Sequence, residues 1–278
     1  MSLPQPRQSP GQSPLPMLPR RNVLRLAIAG AALVGTGKLL EAFGTLERVS
    51  AAHLPPPRRG TEAEPHGHQW VFLIDLRRCD GCGDCTKGCQ EMHHLPEEQE
   101  WIKVHQLEDT TGGDYFLPVL CQMCERPPCV QVCPVAATFQ TPAGPILVDQ
   151  SICIGCRMCM AACPYGVRYF NWQEPPAVPP EEQHADALLQ IPQVRGTVGK
   201  CDSCMHASLE NLLPACVESC SMEAIWIGDF VTDVATNGRD SVGLSQYMRE
   251  HDVYRLKEHL GTEPRVYYVA GHGQDLEY

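Results

Sequence analysis

Cysteine is the residue type whose spacing stands out in this sequence, because its sixteen cysteines fall into four groups of four. Residues 79–89 read CDGCGDCTKGC, and residues 153–163 read CIGCRMCMAAC with the same C-x2-C-x2-C-x3-C spacing. The four motifs are, in order, Cys79, Cys82, Cys85, Cys89; Cys121, Cys124, Cys129, Cys133; Cys153, Cys156, Cys159, Cys163; and Cys201, Cys204, Cys216, Cys220. Groups of four thiolates are the ligand sets of metal centres, whereas a disulfide framework tolerates irregular spacing.

The compact spacing favours [4Fe–4S] clusters. In a bacterial ferredoxin run the first three cysteines bind one cluster, and the fourth binds the other cluster of a pair. Four motifs therefore predict two pairs and four clusters. Pro134 and Pro164 follow the last cysteine of the second and third motifs, as in that run, whereas Gln90 and Ser221 follow the last cysteine of the first and fourth. This difference suggests that the second motif pairs with the third and the first with the fourth, without proving it.

Zinc is the alternative metal. The second and fourth motifs could pass for zinc knuckles, but three ligands at x2 spacing in the first and third crowd a single tetrahedral ion. Attached c-type haem is excluded at these motifs, because no C-x-x-C is followed by His.

An internal repeat predicts the elements that position these cysteines. The segments VFLID (71–75) and ILVD (146–149) precede the first and third motifs and are predicted to be short strands. Gly81 and Gly155 lie between the first two cysteines, where a positive φ would turn neighbouring thiolates towards one cluster. The pattern predicts an α+β, loop-rich fold of two interleaved ferredoxin-like (2[4Fe–4S]) modules, preceded by an N-terminal signal segment.

Composition argues against other functions. The formal net charge is −11 with no basic stripe, so nucleic-acid binding is not expected. The sequence has no GxGxxG motif and no P-loop, so no nucleotide is expected, and no residue is predicted to be catalytic.

The N-terminal residues 1–51 are predicted to be a disordered leader and a targeting signal. Arg20 and Arg21 precede an apolar run from about Leu26 to Val34, which is much shorter than the ~20 residues of a spanning helix. An arginine pair before such a run resembles a twin-arginine signal, which implies export of a folded, cofactor-loaded protein. The alternative is an amphipathic N-terminal helix that stays attached.

Two segments carry a family resemblance. CQMCERPPCVQVCPVAATF (121–139) and CIGCRMCMAACPYGVRYFN (153–171) resemble the electron-transfer subunits of the molybdopterin (DMSO reductase) oxidoreductase family. That family includes the iron–sulfur subunits of polysulfide and tetrathionate reductases, of formate dehydrogenase and of formate-dependent nitrite reduction. The resemblance covers residues 69 to 270 and implies four ligand sets: Cys79, Cys82, Cys85, Cys220; Cys201, Cys204, Cys216, Cys89; Cys121, Cys124, Cys129, Cys163; and Cys153, Cys156, Cys159, Cys133.

Together with the arginine pair, the resemblance implies an exported, non-catalytic subunit that relays single electrons through four [4Fe–4S] clusters. Its partners would be an integral-membrane quinone-reactive subunit and either a molybdopterin catalytic subunit or a multihaem cytochrome. It would lie in the periplasm or at the outer face of the cytoplasmic membrane, held there through a partner. The alternatives are a stand-alone ferredoxin-like redox enzyme or carrier and a zinc-binding scaffold. The expected domains are a first module at 69–115 and 197–230, a second module at 116–172, a Pro-rich insertion at 173–196 and a C-terminal extension at 231–278.

Overall fold

The computed structural model describes residues 67–108, 112–185 and 189–271, so the predicted signal at 1–51 lies outside the described residues. The strands, in chain order, are β1 Trp70–Asp75, β2 Lys103–Glu108, β3 Asp114–Val119, β4 Thr138–Gln140, β5 Ile146–Val148, β6 Tyr169–Phe170, β7 His184–Ala185, β8 Gln190–Ile191, β9 Val198–Gly199, β10 Ile225–Asp229, β11 Val234–Thr236, β12 Ser241–Gly243, β13 Val253–Tyr254 and β14 Val266–Val269. The strands predicted before the first and third motifs are confirmed as β1 and β5.

One six-stranded sheet joins the beginning of the described chain to its end, in the order β12-β11-β10-β1-β14-β13. β1 lies inside this sheet, antiparallel to β10 and parallel to β14, with Phe72 opposite both Ile227 and Val266. Four of the six strands come from residues 231–278, the segment interpreted from sequence as an extension. The sheet beside the first motif is therefore completed by the C-terminal part of the chain.

The two faces of β1 contact different cores, because successive side chains of a strand point to opposite faces. Phe72 and Ile74 belong to the main core, which also contains many of the cysteines. Val71 and Leu73 pack on the other face with Trp226 and the neighbouring apolar residues. These four side chains of β1 are fully buried, which explains the uninterrupted apolar run in the sequence.

The remaining strands form two-stranded antiparallel pairs: β2–β3, β4–β5, β6–β9 and β7–β8. β6 follows the third cysteine motif and β9 precedes the fourth, so their pairing closes the insertion into a loop. Within that insertion Val178, Leu189 and Ile191 are buried in a small cluster of their own.

The helices are short, and most of them carry cysteines. They are α1 Asp84–His93, α2 Pro128–Gln131, α3 Met158–Ala162, α4 Met205–Leu209, α5 Ala215–Glu218 and α6 Leu244–Glu250. α1, from the first motif, packs against α5 from the fourth, and α2, from the second, packs against α3 from the third. In the described ranges no helix has the length and apolar character that crossing a bilayer requires.

Candidate metal centres

All sixteen cysteines lie in the described residues, and none of them forms a disulfide bond. The fold brings their thiols together in four sets, each combining three cysteines of one motif with one from another. Set I is Cys79, Cys82, Cys85 and Cys220; set II is Cys89, Cys201, Cys204 and Cys216; set III is Cys121, Cys124, Cys129 and Cys163; set IV is Cys133, Cys153, Cys156 and Cys159. These are the groups that the family resemblance implies; that they bind clusters remains a prediction.

Set I joins the first motif to the last cysteine of the chain. Burial raises the pKa of the Cys79 thiol to about 11, and the nearby Cys220 and Cys82 contribute to the rise. Burial likewise raises the pKa of Cys85 to about 12, with Cys220 and Cys79 adding to it. The backbone N–H of Ala224 donates a hydrogen bond to the Cys220 sulfur at 3.2 Å. Residues more than one hundred positions apart in sequence thus meet at one place.

Set II is the most deeply buried of the four. Burial, followed by the neighbouring thiols, raises the pKa of Cys89 and Cys216 well above the usual value. Burial raises that of Cys201 to about 12. The Cys201 sulfur accepts a hydrogen bond from the backbone N–H of Ser203 at 3.4 Å. Unaided, these thiols would be protonated at neutral pH, so holding them as thiolates requires positive charge in the site.

Sets III and IV each surround a cavity. All four cysteines of set III line one small cavity, together with Arg168 and Tyr165. All four cysteines of set IV line a second small cavity. Burial raises the pKa of Cys124 to about 12, and the other thiols of set III contribute.

The four sets lie one after another. Cys85 of set I interacts with Cys216 of set II, and Cys201 of set II interacts with Cys121 of set III. Sets III and IV meet at the buried guanidinium of Arg168. One cysteine in each terminal set, Cys82 in set I and Cys156 in set IV, is exposed. The succession therefore reaches the surface at both ends.

One backbone feature recurs in all four motifs. The residue before the second cysteine has a positive φ in each, at +79° for Gly81 and +66° for Gly155. Met123 and Ser203 adopt it at 46° and 64° in the second and fourth motifs, although neither is glycine. The sequence predicted this turn only at the two glycines, because residues other than glycine seldom adopt a positive φ.

Charged and polar side chains lie near the thiols, and the sequence did not single out Lys200 among them. Lys200 is buried at 4% exposure, and its charge opposes the rise that burial causes in the pKa of Cys129 and Cys201. His93 is buried, with its Nε2 3.7 Å from the Cys204 sulfur. The Ser221 hydroxyl lies 3.7 Å from the Cys82 sulfur.

The chemistry of the donor sets fits iron–sulfur clusters. Each set offers four sulfur atoms and, in sets I and II, a backbone N–H donor to a sulfur, which is the environment of a cysteine-ligated [4Fe–4S] cluster. Three thiols of one motif with a fourth from another motif follow the ligand exchange of two-cluster ferredoxins. The fit extends to all four sets.

Comparison with known proteins agrees with this chemistry. Residues 114–178 match the family described as 4Fe-4S dicluster domain. The chain is 38% identical to a candidate iron-sulfur subunit of dimethyl sulfoxide reductase from Halobacterium salinarum, over 72% of this chain and 78% of the relative. The chain belongs to the iron–sulfur electron-transfer subunits of the molybdopterin (DMSO reductase) oxidoreductase family. The predicted resemblance is confirmed.

Further relatives of this iron–sulfur family match most of the chain. A subunit of the selenate reductase of Mesobacillus selenatarsenatis is 33% identical over 87% of this chain and 94% of its own length. A subunit of the tetrathionate reductase of Salmonella typhimurium is 35% identical over 84% of both chains. The similarity therefore extends well beyond the matched dicluster region.

Proposed function

We propose that this iron–sulfur protein binds four [4Fe–4S] clusters at sets I to IV and relays single electrons between two partner subunits. The proposal rests on the order of the four thiol sets, which lie one after another from set I to set IV. The first set has an exposed cysteine, Cys82, and the last has another, Cys156. When bound, [4Fe–4S] clusters accept and release electrons at potentials that depend on their surroundings.

The chain's own residues would supply ligands, insulation and charge. The sixteen thiolates would hold the clusters, and the buried apolar residues around them would exclude water. Backbone N–H groups on the sulfurs and the buried cations Lys200 and Arg168 would favour the reduced state. None of these roles requires a substrate-binding residue in this chain.

The packing of the helices supports two interleaved modules. Contact of α1 with α5 places the first motif with the fourth, and contact of α2 with α3 places the second with the third. In this arrangement sets I and II belong to one ferredoxin-like module and sets III and IV to the other.

The proposed partners are an integral-membrane quinone-reactive subunit and either a molybdopterin catalytic subunit or a multihaem cytochrome. Support comes from the relatives, which are named as subunits of selenate and tetrathionate reductases. Arg20 and Arg21 support export by a twin-arginine route to the periplasmic side of the membrane. A stand-alone ferredoxin-like enzyme or carrier is the second candidate, and it predicts purification without a partner.

Iron content tests the proposal directly. Protein purified anaerobically should contain about sixteen iron and sixteen acid-labile sulfide per chain, four of each per cluster. The Cys124→Ser and Cys156→Ser variants serve as single-cluster controls, since they change one ligand of set III and of set IV. About eight iron, or stoichiometric zinc, would contradict the proposal.

Export and assembly need a separate experiment. Replacing Arg20 and Arg21 with Lys should retain folded, iron-loaded protein in the cytoplasm, whereas unchanged arrival outside would reject the twin-arginine interpretation. Affinity purification of the exported protein from membranes should recover a quinone-reactive subunit. Recovery of the chain alone would favour the stand-alone carrier.

A further inference from the structure

Arg168 is a buried cation at the place where sets III and IV meet. Only 4% of this residue is exposed, although arginine is rarely buried unless it is paired. Its Nη1 donates a hydrogen bond to the Thr138 hydroxyl at 3.2 Å, and Thr138 is itself buried. Its Nη2 is also buried and has no hydrogen-bond partner among the described residues. Part of the guanidinium is therefore available to another acceptor.

The groups that surround this guanidinium are thiols. Among the described ranges Arg168 forms no ion pair with a carboxylate. Burial lowers its pKa, but Cys129 and Cys159, followed by Cys121 and Cys163, raise it by more. A buried cation is costly without an anionic partner, so thiolate sulfurs are the counter-charge that this position provides.

Arg168 lines the cavity of set III, and the Thr138 side chain to which it is bonded lines the cavity of set IV. Burial raises the pKa of Cys129 in set III, and the charge of Arg168 opposes that rise. Burial also raises the pKa of Cys159 in set IV, and the charge of Arg168 opposes that rise as well. A second cation, Lys200, lies near Cys129 but on the side of set II, because it also acts on Cys201. Arg168 is thus the charge shared between sets III and IV.

We propose that Arg168 holds a permanent positive charge between the clusters of sets III and IV and raises the reduction potentials of both. The inference rests on the proposed function, since it assumes clusters at these two sets. Reduction adds negative charge to a cluster, and a fixed cation in a low-dielectric interior stabilises that added charge. Because one cation raises both potentials in the same direction, it makes both centres easier to reduce with little change in the difference between them.

The test is a redox titration of the whole, cluster-loaded chain followed by electron paramagnetic resonance. Arg168→Gln removes the charge and keeps a hydrogen-bonding side chain. Two clusters should become harder to reduce, each by at least tenfold in the reduction equilibrium, which is about 59 mV for a one-electron couple. Arg168→Lys should restore much of the shift, because it retains the charge. The Cys124→Ser and Cys156→Ser variants identify which signals belong to sets III and IV.

Arg126→Gln is the matched control. Arg126 lies between two cysteines of set III in sequence, but 71% of its side chain is exposed and it pairs with Glu263. Its removal should leave all four potentials unchanged within error, because solvent screens an exposed charge. An equal shift from Arg126→Gln and Arg168→Gln would overturn the proposal, since net charge alone would then explain the effect.

The remaining outcomes separate the two proposals. Iron well below sixteen in the unaltered protein refutes the four-cluster function itself. Full iron content in Arg168→Gln with no shifted signal, or with one or four shifted signals, overturns only the role of Arg168. If Arg168→Gln fails to retain iron, Thr138→Val decides the question. It removes the hydroxyl that fixes the guanidinium, so the retained charge changes its distance from the two sets. Joint movement of the signals of sets III and IV would support the shared cation, and unchanged potentials would overturn it.

Discussion

Gly155→Ala is a sharp test of how the cysteine loops are built. Gly155 lies between Cys153 and Cys156 of set IV and has a φ of +66°. A Cβ atom added there would lie 2.0 Å from the backbone oxygen of Gly196. The obstacle is main chain, so a change of side-chain rotamer cannot relieve it. The cysteine loop or the segment around Gly196 must move instead.

Gly166→Ala separates the clash from the backbone strain. Gly166 has the same φ of +66°, but an added Cβ would meet nothing within 4 Å. A non-glycine residue in the left-handed region costs about 1–2 kcal/mol, and that cost applies to both variants. Overpacking adds about 1–3 kcal/mol, and it applies only to Gly155→Ala. The expected cost is therefore about 2–5 kcal/mol for Gly155→Ala against about 1–2 kcal/mol for the control.

The assay is anaerobic release of iron to a chelator in mild denaturant, together with the resonance signals of the individual clusters. Rates are compared because a bound cofactor removes the basis for a two-state free energy. The excess of at least about 1 kcal/mol corresponds to roughly fivefold faster release from Gly155→Ala than from Gly166→Ala. Loss should begin at the cluster of set IV. Equal rates for the two variants, or first loss from another set, would refute the packing argument.

Other contacts lead to three more testable outcomes. Cys220→Ser and Cys79→Ser should alter the same resonance signal, because both thiols stand in set I; different signals would break that set. His93→Phe should lower the potential of the set II cluster without loss of iron, because it removes the Nε2 group 3.7 Å from the Cys204 sulfur; an unchanged redox titration would contradict this. Burial raises the pKa of Asp75, but Arg77 and Tyr247 together lower it by more, so its carboxylate stabilises the fold above the unfolded pKa of 3.8 and loses that effect only in acid. Loss of this charged hydrogen-bonded pair costs about 1–3 kcal/mol, so Asp75→Asn should speed anaerobic iron release in mild denaturant roughly fivefold or more, equally at pH 6 and pH 8. A ratio of rates that varies across this range would be inconsistent.

The sequence alone indicated the local features of the metal centres. Cysteine spacing within a motif depends on a few consecutive dihedral angles, so the spacing predicted the metal chemistry directly. The strands before the first and third motifs were predictable for the same local reason, because each is a short apolar run that ends at a cysteine loop. The glycine turns at Gly81 and Gly155 were visible because glycine is the residue that tolerates a positive φ most readily.

Long-range packing decided which motifs meet and which strands pair. The periodicity of a sequence carries no information about such contacts. Cys220 stands beside Cys79 because α5 packs on α1, a contact between segments more than one hundred residues apart. β14 lies between β1 and β13, so the end of the described chain completes the sheet that contains β1. The sequence had placed that end in an extension outside the first module. Arg168 appears in the sequence only as one cation in an apolar run. Its place between two thiol sets follows from the tertiary structure, because only the folded chain surrounds it with sulfur and removes it from water.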